Sequence, residues 1–199
     1  MKRSFDLAAS FLGVVLLSPL LCAVALCIRV CDGSPVFFRQ ARVGRGGKPF
    51  RMWKFRTMVP DAEKRGALLT VGGDGRITAL GKRLRGWKID ELPQLFNVLD
   101  GTMSLVGPRP EVARYVARYS PEERRVLDLM PGITDPASIR YRDESECLAR
   151  AEDPEEYYVR VLVPEKIRLN LEYGKKATLS RDIRVILMTL IPRLPLRTP

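Results

Sequence analysis

Asp90 and Glu91 are adjacent carboxylates, and two arginines, Arg85 and Arg109, lie near them in the chain. On a regular helix consecutive side chains point about 100° apart, so the pair is better suited to two roles than to one. A helix N-terminus keeps a carboxylate ionised and attracts phosphate. A carboxylate attacks phosphorus only where cations cancel the repulsion between the two anions, and arginines with a divalent ion such as Mg²⁺ do this. The pattern indicates phosphoryl chemistry, with an ordinary N-cap and a first-turn acid as the structural alternative.

Composition narrows the chemistry that the chain can perform. The 199 residues include no histidine, so the commonest general base is missing and carboxylates, Tyr, Lys, Cys or a metal must take its place. Cys22, Cys27 and Cys31 do not have the spacing of a zinc site, and Cys147 stands alone. We expect all four as small apolar side chains in a reducing compartment.

The positive charge is unevenly distributed. Formal net charge is +11, and residues 91–199 carry as many acidic as basic side chains, so the whole excess lies before Glu91. Such a basic region is typical of nucleic-acid binders, of proteins that lie on anionic lipid and of sites for polyphosphate ligands.

An uncharged apolar segment runs from Leu7 to Ile28 and is long enough to cross a bilayer. Basic residues flank it on both sides, whereas a spanning helix normally shows an asymmetry. A cleaved signal peptide is disfavoured because its apolar region is usually shorter. Two interpretations stay open: a re-entrant helix-break-helix hairpin over residues 1–34, which enters and leaves on one face, and a kinked spanning helix.

Ser18 and Pro19 lie in the middle of this segment and predict a break in the helix. The ring of Pro19 clashes with the carbonyl of Val15, and proline offers no N–H. A polar backbone group freed in lipid needs a partner, and the Ser18 hydroxyl is the candidate.

The next part of the chain predicts a β-hairpin. Two runs with β-branched and aromatic residues flank a glycine-containing loop at residues 44–48. Seven basic residues, with no acid between them, lie between Arg39 and Arg56. They form either a surface for phosphate or lipid headgroups or a solvated edge strand charged against aggregation. Residues 59–76 are expected as a loop or short helix.

Apolar residues at helical spacing predict two helices around the carboxylate pair. The first covers residues 77–88, is basic and has Trp87 on its apolar stripe. The second has Asp90 as N-cap and ends at Asp100-Gly101. Its buried face comprises Leu92, Leu95, Phe96 and Leu99.

Further along, residues 104–106 are expected to be extended, and a proline on each side of Arg109 fixes the backbone and orients the guanidinium. One C-terminal helix starts at Pro164, and another is capped by Ser180 and ends at Pro192 and Pro195. The last helix is basic and amphipathic, which suits either the membrane interface or a core-facing position.

From residue 1 to about residue 190 the chain resembles the monotopic polyprenyl-phosphate phosphoglycosyl transferases among the bacterial sugar transferases. The shared motifs occur in order. They are Ser18-Pro19 in an apolar segment, WKFRTM at 53–58, a basic helix with Arg85, DELPQLFNVL at 90–99, SLVGPRPE at 104–111 and PGIT at 131–134.

The resemblance implies transfer of a phosphosugar from a UDP-sugar to a polyprenyl phosphate such as undecaprenyl phosphate, with release of UMP. The product would start a surface glycan such as an exopolysaccharide, O-antigen or capsule. Asp90 would be the nucleophile, and Glu91 would be its acidic partner, which helps to bind Mg²⁺ or handle protons. Both carboxylates, Asp90 and Glu91, are expected as ligands of Mg²⁺. The phosphates would be stabilised by Lys54, Arg56, Arg85 and Arg109.

The implied fold is α+β and mostly helical, with a re-entrant membrane hairpin at residues 1–34, a small β-hairpin and amphipathic interfacial helices. Residues 35–199 would form the catalytic domain, with membrane-contacting C-terminal helices, at the cytoplasmic face of the bacterial inner membrane. The expected partners are the UDP-sugar, the polyprenyl phosphate and membrane lipid, not nucleic acid. The oligomeric state stays open, with a dimer as one alternative.

One motif departs from the family pattern. Many members continue PGITGW, whereas this chain reads PGITDPASIRYRDE at 131–144, so the hexose is not assigned. The chain also lacks the additional N-terminal membrane helices of larger members and is expected to be a minimal catalytic unit. Two other functions stay open: a basic membrane adaptor without enzymatic activity, and an enzyme in which the acceptor attacks the UDP-sugar directly.

Overall fold

The apolar segment forms one long helix, α1, over Lys2–Cys31 in a computed structural model that describes residues 1–62 and 74–191. The helix continues through Ser18 and Pro19, so the predicted break into two helices is not confirmed. The hydroxyl of Ser18 donates to the carbonyl oxygen of Val15 at 2.7 Å, which is the replacement bond expected beside the proline. Same-face topology therefore stays a prediction.

Helix α1 has the exposure of a lipid-facing helix. Only 11% of its most apolar stretch is buried, whereas the core helix of a soluble protein is mostly buried. Phe11, Leu16, Leu26 and Val30 are each more than half exposed. Such a surface is suited to contact with lipid.

The two ends of α1 both contact the rest of the protein. Near the start, Arg3 donates to the carbonyl of Val98 at 2.6 Å, and Asp6 accepts a hydrogen bond from Ser104 at 2.7 Å. Near the end, Arg56 donates to the carbonyl oxygens of Asp32 and Gly33 at 2.6 and 2.8 Å. The middle of the helix is the part left free.

The predicted β-hairpin is confirmed. Strands β1 (Phe37–Val43) and β2 (Pro49–Phe55) pair antiparallel, with Phe37 opposite Phe55. Gly46 and Gly47 in the connecting turn have φ angles of 66° and 75°, a region that glycine enters without steric cost. Alternation along β2 buries Met52 and directs Lys54 to the side on which Glu91 lies.

Two helices surround the carboxylate pair, as predicted, but with different buried faces. Helix α2 (Ala79–Gly86) is capped by Thr78, and helix α3 covers Gln94–Asp100. Trp87 is 81% exposed and Phe96 is 36% exposed, so their placement on buried stripes was wrong. In α3 the buried residues are Gln94, Leu95, Asn97 and Val98.

Asn97 explains the altered face of α3. Its side chain accepts from the Trp53 N–H at 2.8 Å and donates to the Arg51 carbonyl at 3.0 Å. The helix therefore turns this polar residue toward β2, which rotates Phe96 outward.

A second small sheet joins distant parts of the chain. Strands β3 (Ser104–Val106) and β4 (Gly132–Thr134) are parallel, which confirms the extended segment predicted at 104–106. The helices that complete the described fold are α4 (Ala113–Val116), α5 (Pro136–Arg140), α6 (Glu144–Ala149), α7 (Pro154–Tyr157), α8 (Val163–Lys175) and α9 (Leu179–Leu190). The largest core cluster packs α4 against α8 through Tyr115, Val116 and Ile167.

The last two helices agree with the sequence except at one cap. Pro164 lies in the first turn of α8, as predicted, but Thr178 caps α9 in place of Ser180. The core side of α9 is Val185 and Met188, and Leu190 is 72% exposed. The predicted stop at Pro192 and Pro195 lies outside the described residues, as does most of the loop predicted at 59–76.

Candidate active site

A tight change of chain direction presents Asp90 and Glu91. Lys88, just after α2, has a left-handed backbone with φ 55°, and residues Ile89–Glu91 form a 3-10 turn. Pro93 has no N–H with which to continue that turn as an α-helix, so α3 begins only after it. Asp90 therefore lies inside the 3-10 turn, and its prediction as the N-cap of the following helix was wrong.

Glu91 is held between two cations. Its Oε1 accepts from Lys54 Nζ at 2.9 Å, and Arg109 grips both carboxylate oxygens, with Nη1 to Oε2 at 3.1 Å. Burial acts to raise the pKa of Glu91, but the charges of Arg109 and Lys54 outweigh it and hold the pKa well below its ordinary value. Glu91 is therefore ionised throughout the neutral range.

Glu91 in turn affects its partners. Its charge raises the pKa of Arg109 above the ordinary value. Burial lowers the pKa of Lys54, although Glu91 opposes that change. The result is a partly buried charge cluster with one positive charge in excess, which consists of Lys54, Glu91 and Arg109.

Asp90 has a different environment. It is 7% exposed, and it accepts no hydrogen bond from residues 1–62 or 74–191. Burial, followed by the charge of Glu91, raises its pKa, while Lys54, Arg85 and Arg109 act in the opposite direction. A buried carboxylate without hydrogen-bond donors is poorly stabilised as an anion and is correspondingly reactive.

Arg85 approaches the same carboxylate from α2. Its Nε donates to the Thr57 hydroxyl at 2.8 Å, and the rest of the guanidinium has no hydrogen bond to residues 1–62 or 74–191. Burial lowers the pKa of Arg85, and the charge of Asp90 is the largest influence in the opposite direction. Thr57 is a site residue that spacing alone did not reveal; the WKFRTM motif that contains it was the available signal.

Arg56 is not brought to the carboxylates. It is 5% exposed, and its recorded bonds go to the carbonyl oxygens at the end of α1. Its Nε and Nη1 are buried and have no partner among the described residues. The contacts that the structure shows for Arg56 connect β2 to α1.

Two glycines allow the Arg109 loop to reach the site. A Cβ on Gly107 would lie 2.1 Å from the Met130 carbonyl oxygen, and one on Gly132 would lie 2.1 Å from the Gly107 nitrogen. The backbones of the VGPRP and PGIT motifs therefore approach more closely than any side chain permits. This contact, with the prolines around Arg109, positions the guanidinium over Glu91.

The acidic residue that follows PGIT forms hydrogen bonds within the fold. Asp135 is 1% exposed, caps α5 through the Ser138 N–H at 3.0 Å and accepts from Asn170 at 3.2 Å. Its charge also contributes to the raised pKa of Arg109. The departure from PGITGW thus adds a buried acid behind the Arg109 loop.

The two carboxylates of the site differ in their capacity to hold the expected Mg²⁺. No group of three or more Asp, Glu, His or Cys side chains that could hold a metal occurs within the described residues. Glu91 Oε1 already accepts from two cations, whereas Asp90 is uncommitted. Mg²⁺ in phosphate sites commonly uses one or two carboxylates plus substrate oxygens, and Asp90 fits that role while the paired Glu91 does not.

Known proteins are similar to this chain in sequence. The bacterial sugar transferase family profile matches residues 1–194. A UDP-glucose:undecaprenyl-phosphate glucose-1-phosphate transferase of Escherichia coli is 34% identical over 197 residues, which are 95% of this chain and 39% of that protein. A protein of the same name from Caulobacter vibrioides is 37% identical, over 94% of this chain and 67% of its own length.

A third relative carries a different sugar in its name. A UDP-N-acetylgalactosamine-undecaprenyl-phosphate N-acetylgalactosaminephosphotransferase of Aeromonas hydrophila is 46% identical over 121 residues, 61% of this chain and 29% of that protein. The chain spans less than half the length of this relative and of the one from Escherichia coli. Because the profile covers nearly every residue, the chain belongs to the bacterial sugar transferase family.

Proposed function

We propose that this protein transfers a phosphosugar from a UDP-sugar to a polyprenyl phosphate, such as undecaprenyl phosphate, and releases UMP. The lipid product would start a surface glycan. The observation that carries the proposal is Asp90: a buried carboxylate without a hydrogen bond from the described residues, surrounded by Lys54, Arg85 and Arg109. The names of the relatives from Escherichia coli and Caulobacter vibrioides support the substrate classes.

The proposed reaction has two displacement steps at one phosphorus atom. In the first, an Asp90 carboxylate oxygen bonds to the sugar-linked phosphorus and the bond to the bridging oxygen breaks, so UMP leaves with the electron pair. In the second, a phosphate oxygen of the polyprenyl phosphate attacks the same phosphorus and the Asp90 carboxylate leaves. Each step exchanges one P–O bond for another, and Asp90 is regenerated.

The cations supply the electrostatic part of this mechanism. Arg85 and Arg109 bring positive charge to the region where two anions must meet, and Lys54 contacts the same carboxylate, Glu91, as Arg109 does. We assign Glu91 the task of holding Lys54 and Arg109 in place, because a carboxylate that stays ionised is a poor proton carrier. Mg²⁺, when bound, would be held by Asp90 with substrate phosphates and would neutralise part of their charge.

We further propose that the protein is monotopic, with the catalytic body at the cytoplasmic face of the inner membrane. The backbone at Gly13, which faces Leu95, contacts the body, and side chains contact it again from Leu21 onward. The helix between them has about seven residues and would be about 10 Å long, a third of the thickness of the hydrocarbon core. A spanning α1 would therefore draw the catalytic body itself into the bilayer, whereas a re-entrant helix bent at Ser18-Pro19 would not.

Nucleotide release tests the reaction. With a panel of UDP-sugars and no acceptor, the purified protein should release one UMP per active site, and undecaprenyl phosphate should restore turnover. Asp90→Asn should give no UMP in either case. Asp100→Asn, the same change at the exposed end of α3, should behave as wild type.

The other outcomes separate the alternatives. UMP release only when the lipid is present would favour direct attack by the acceptor and overturn the covalent step. No UMP with any UDP-sugar, together with bilayer binding that ignores Asp90, would favour the adaptor. Cysteines placed one at a time at residues 2 and 34 in a cysteine-free background test the topology, since labelling from opposite faces would restore the spanning helix.

A further inference from the structure

Trp87 is an aromatic side chain that belongs neither to the core of the fold nor to the proposed site. It follows the last turn of α2 and is 81% exposed, second only to Met1 among the described large apolar residues. The other tryptophan, Trp53, is covered by the Arg39 guanidinium at 3.8 Å and meets the ring of Phe96 edge-on. An indole left open to solvent is typical of the water–bilayer interface, where its ring and its N–H are both accommodated.

The buried side of α2 holds the backbone that leads to Trp87. A Cβ on Gly81 would lie 2.2 Å from the Thr57 carbonyl oxygen, so the helix sits directly on the backbone beneath it. Leu84 is 6% exposed, and Thr78 caps the first turn through the Gly81 N–H. With this side buried, the end of α2 that carries the exposed Trp87 is held against the body.

Basic side chains share the outward side. Lys82, Arg83 and Lys88 are exposed, and none forms an ion pair within residues 1–62 and 74–191. The nearest acid in the chain, Asp90, is buried. We call Lys82, Arg83, Trp87 and Lys88 the α2 face; its charge is complementary to anionic lipid headgroups, which attract each nearby Lys or Arg.

The α2 face is also continuous with the lipid-suited surface of α1. Leu84 packs against Val24 and Ile28 on the second half of α1. On the same part of α1, Leu26 is 64% exposed and Val30 is 74% exposed. Two helices that pack together thus present basic, aromatic and aliphatic surfaces, the three kinds that suit headgroups, interface and hydrocarbon.

We propose that the α2 face docks on anionic lipid headgroups and that Trp87 inserts its indole at the interface. Lys88 and the 3-10 turn Ile89–Glu91 connect Trp87 directly to Asp90. Trp87 therefore sets the height of that carboxylate above the hydrocarbon. The docking requires no sugar transfer, so it can be tested whether or not the proposed function holds.

The two tryptophans permit a direct measurement. Trp53→Phe leaves Trp87 as the single fluorophore, and Trp87→Phe leaves Trp53 as the reference. Each full-length variant is placed in bilayers of phosphatidylcholine with or without phosphatidylglycerol, which carry bromine at a shallow or a deep position of the acyl chains. We expect Trp87 to be blue-shifted, quenched most strongly by shallow bromine and protected from acrylamide when the anionic lipid is present.

A charge variant gives the matched control. Lys82→Gln with Arg83→Gln, added to Trp53→Phe, should remove the dependence of Trp87 quenching on phosphatidylglycerol. The same neutralisation at the exposed Arg124 and Arg125 should leave it unchanged.

Two results would overturn the proposal. One is Trp87 emission that stays accessible to acrylamide and insensitive to brominated lipid. The other is quenching of Trp87 by a UDP-sugar in the absence of any lipid effect, which would assign the indole to stacking on the nucleotide base.

Discussion

Two buried carboxylates, Asp90 and Asp182, have opposite surroundings. Asp182 is 2% exposed, accepts from the Tyr173 hydroxyl at 2.6 Å and pairs with Lys2 at 2.5 Å. Asp90 is 7% exposed and has charges near it but no hydrogen bond from the described residues. Asp182 connects α1 to α9, whereas the unsatisfied bonding capacity of Asp90 is left for a substrate. Burial alone therefore does not distinguish a structural acid from a reactive one; the hydrogen-bond partners do.

The largest effect is expected at Asp90. Asp90→Asn should abolish transfer, because the amide cannot form the acyl-phosphate bond. The same change should raise the midpoint of thermal unfolding in detergent at pH 7, because the folded state disfavours the charge that the amide removes. Scanning fluorimetry beside a UMP assay checks both. If Asp90→Asn is inactive because it is less stable, the difference drawn between Asp90 and Asp182 is contradicted.

Glu91 comes next. Glu91→Gln removes the charge that holds Lys54 and Arg109, and we expect kcat to fall by about 10²–10³, the range for loss of one preorganised electrostatic group. Steady-state kinetics with UDP-sugar and lipid measure this. If kcat is unchanged and only the KM for Mg²⁺ rises, Glu91 is a metal ligand and does not act by holding Lys54 and Arg109.

Asp182→Asn should have the opposite effects: lower stability with activity nearly retained. We expect the free energy of unfolding to fall by about 1–3 kcal/mol, because the partly buried Tyr173 and Lys2 lose a charged acceptor. Activity per folded molecule should stay within about threefold of wild type. Denaturant titration with a parallel UMP assay separates the two quantities. A loss of turnover in fully folded protein would mean that Asp182 belongs to the site.

The dependence on pH gives the smallest and most specific effect. Burial raises the pKa of Asp90 above 3.8, and only the ionised form attacks phosphorus, so kcat should fall as pH decreases through this raised pKa. Glu91 cannot cause that acidic limb, because its pKa lies well below 4.5. The stability contributed by ionised Glu91 is present above pH 4.5 and is lost only as pH falls through its lowered pKa. An acidic limb of the UMP-release rate centred at or below 3.8 would contradict the environment described for Asp90.

Local signals in the sequence predicted much of the scaffold. The glycine-containing turn specified the hairpin, and Pro164 marked the start of α8, because both act through neighbouring backbone atoms. The burial of Phe96 and Trp87 was predicted wrongly because helical periodicity does not show which face meets a partner. Asn97 binding to β2 and the close contact of α2 with Thr57 decide those faces, and both contacts join distant parts of the chain.

The sequence predicted the residue types of the site better than it predicted the geometry of the site. The ordered motifs brought together Lys54, Asp90, Glu91 and Arg109, and the structure shows Glu91 contacting two of them. The pKa and the hydrogen bonds of each carboxylate depend on which partners fold against it. The neighbouring residues in the sequence do not reveal those partners. Arg56 illustrates the limit: the family resemblance grouped it with Lys54 as a phosphate-binding residue, but the end of α1 supplies its partners.

The most direct test of the account is intact-mass analysis of the protein incubated with a UDP-sugar in the absence of polyprenyl phosphate. We expect an added mass equal to one phosphosugar, mapped by peptide sequencing to Asp90 and removed when undecaprenyl phosphate is supplied. Asp182→Asn should form the same adduct. An adduct on another residue, or UMP-releasing protein that never carries one, would contradict the claim that Asp90 is the nucleophile.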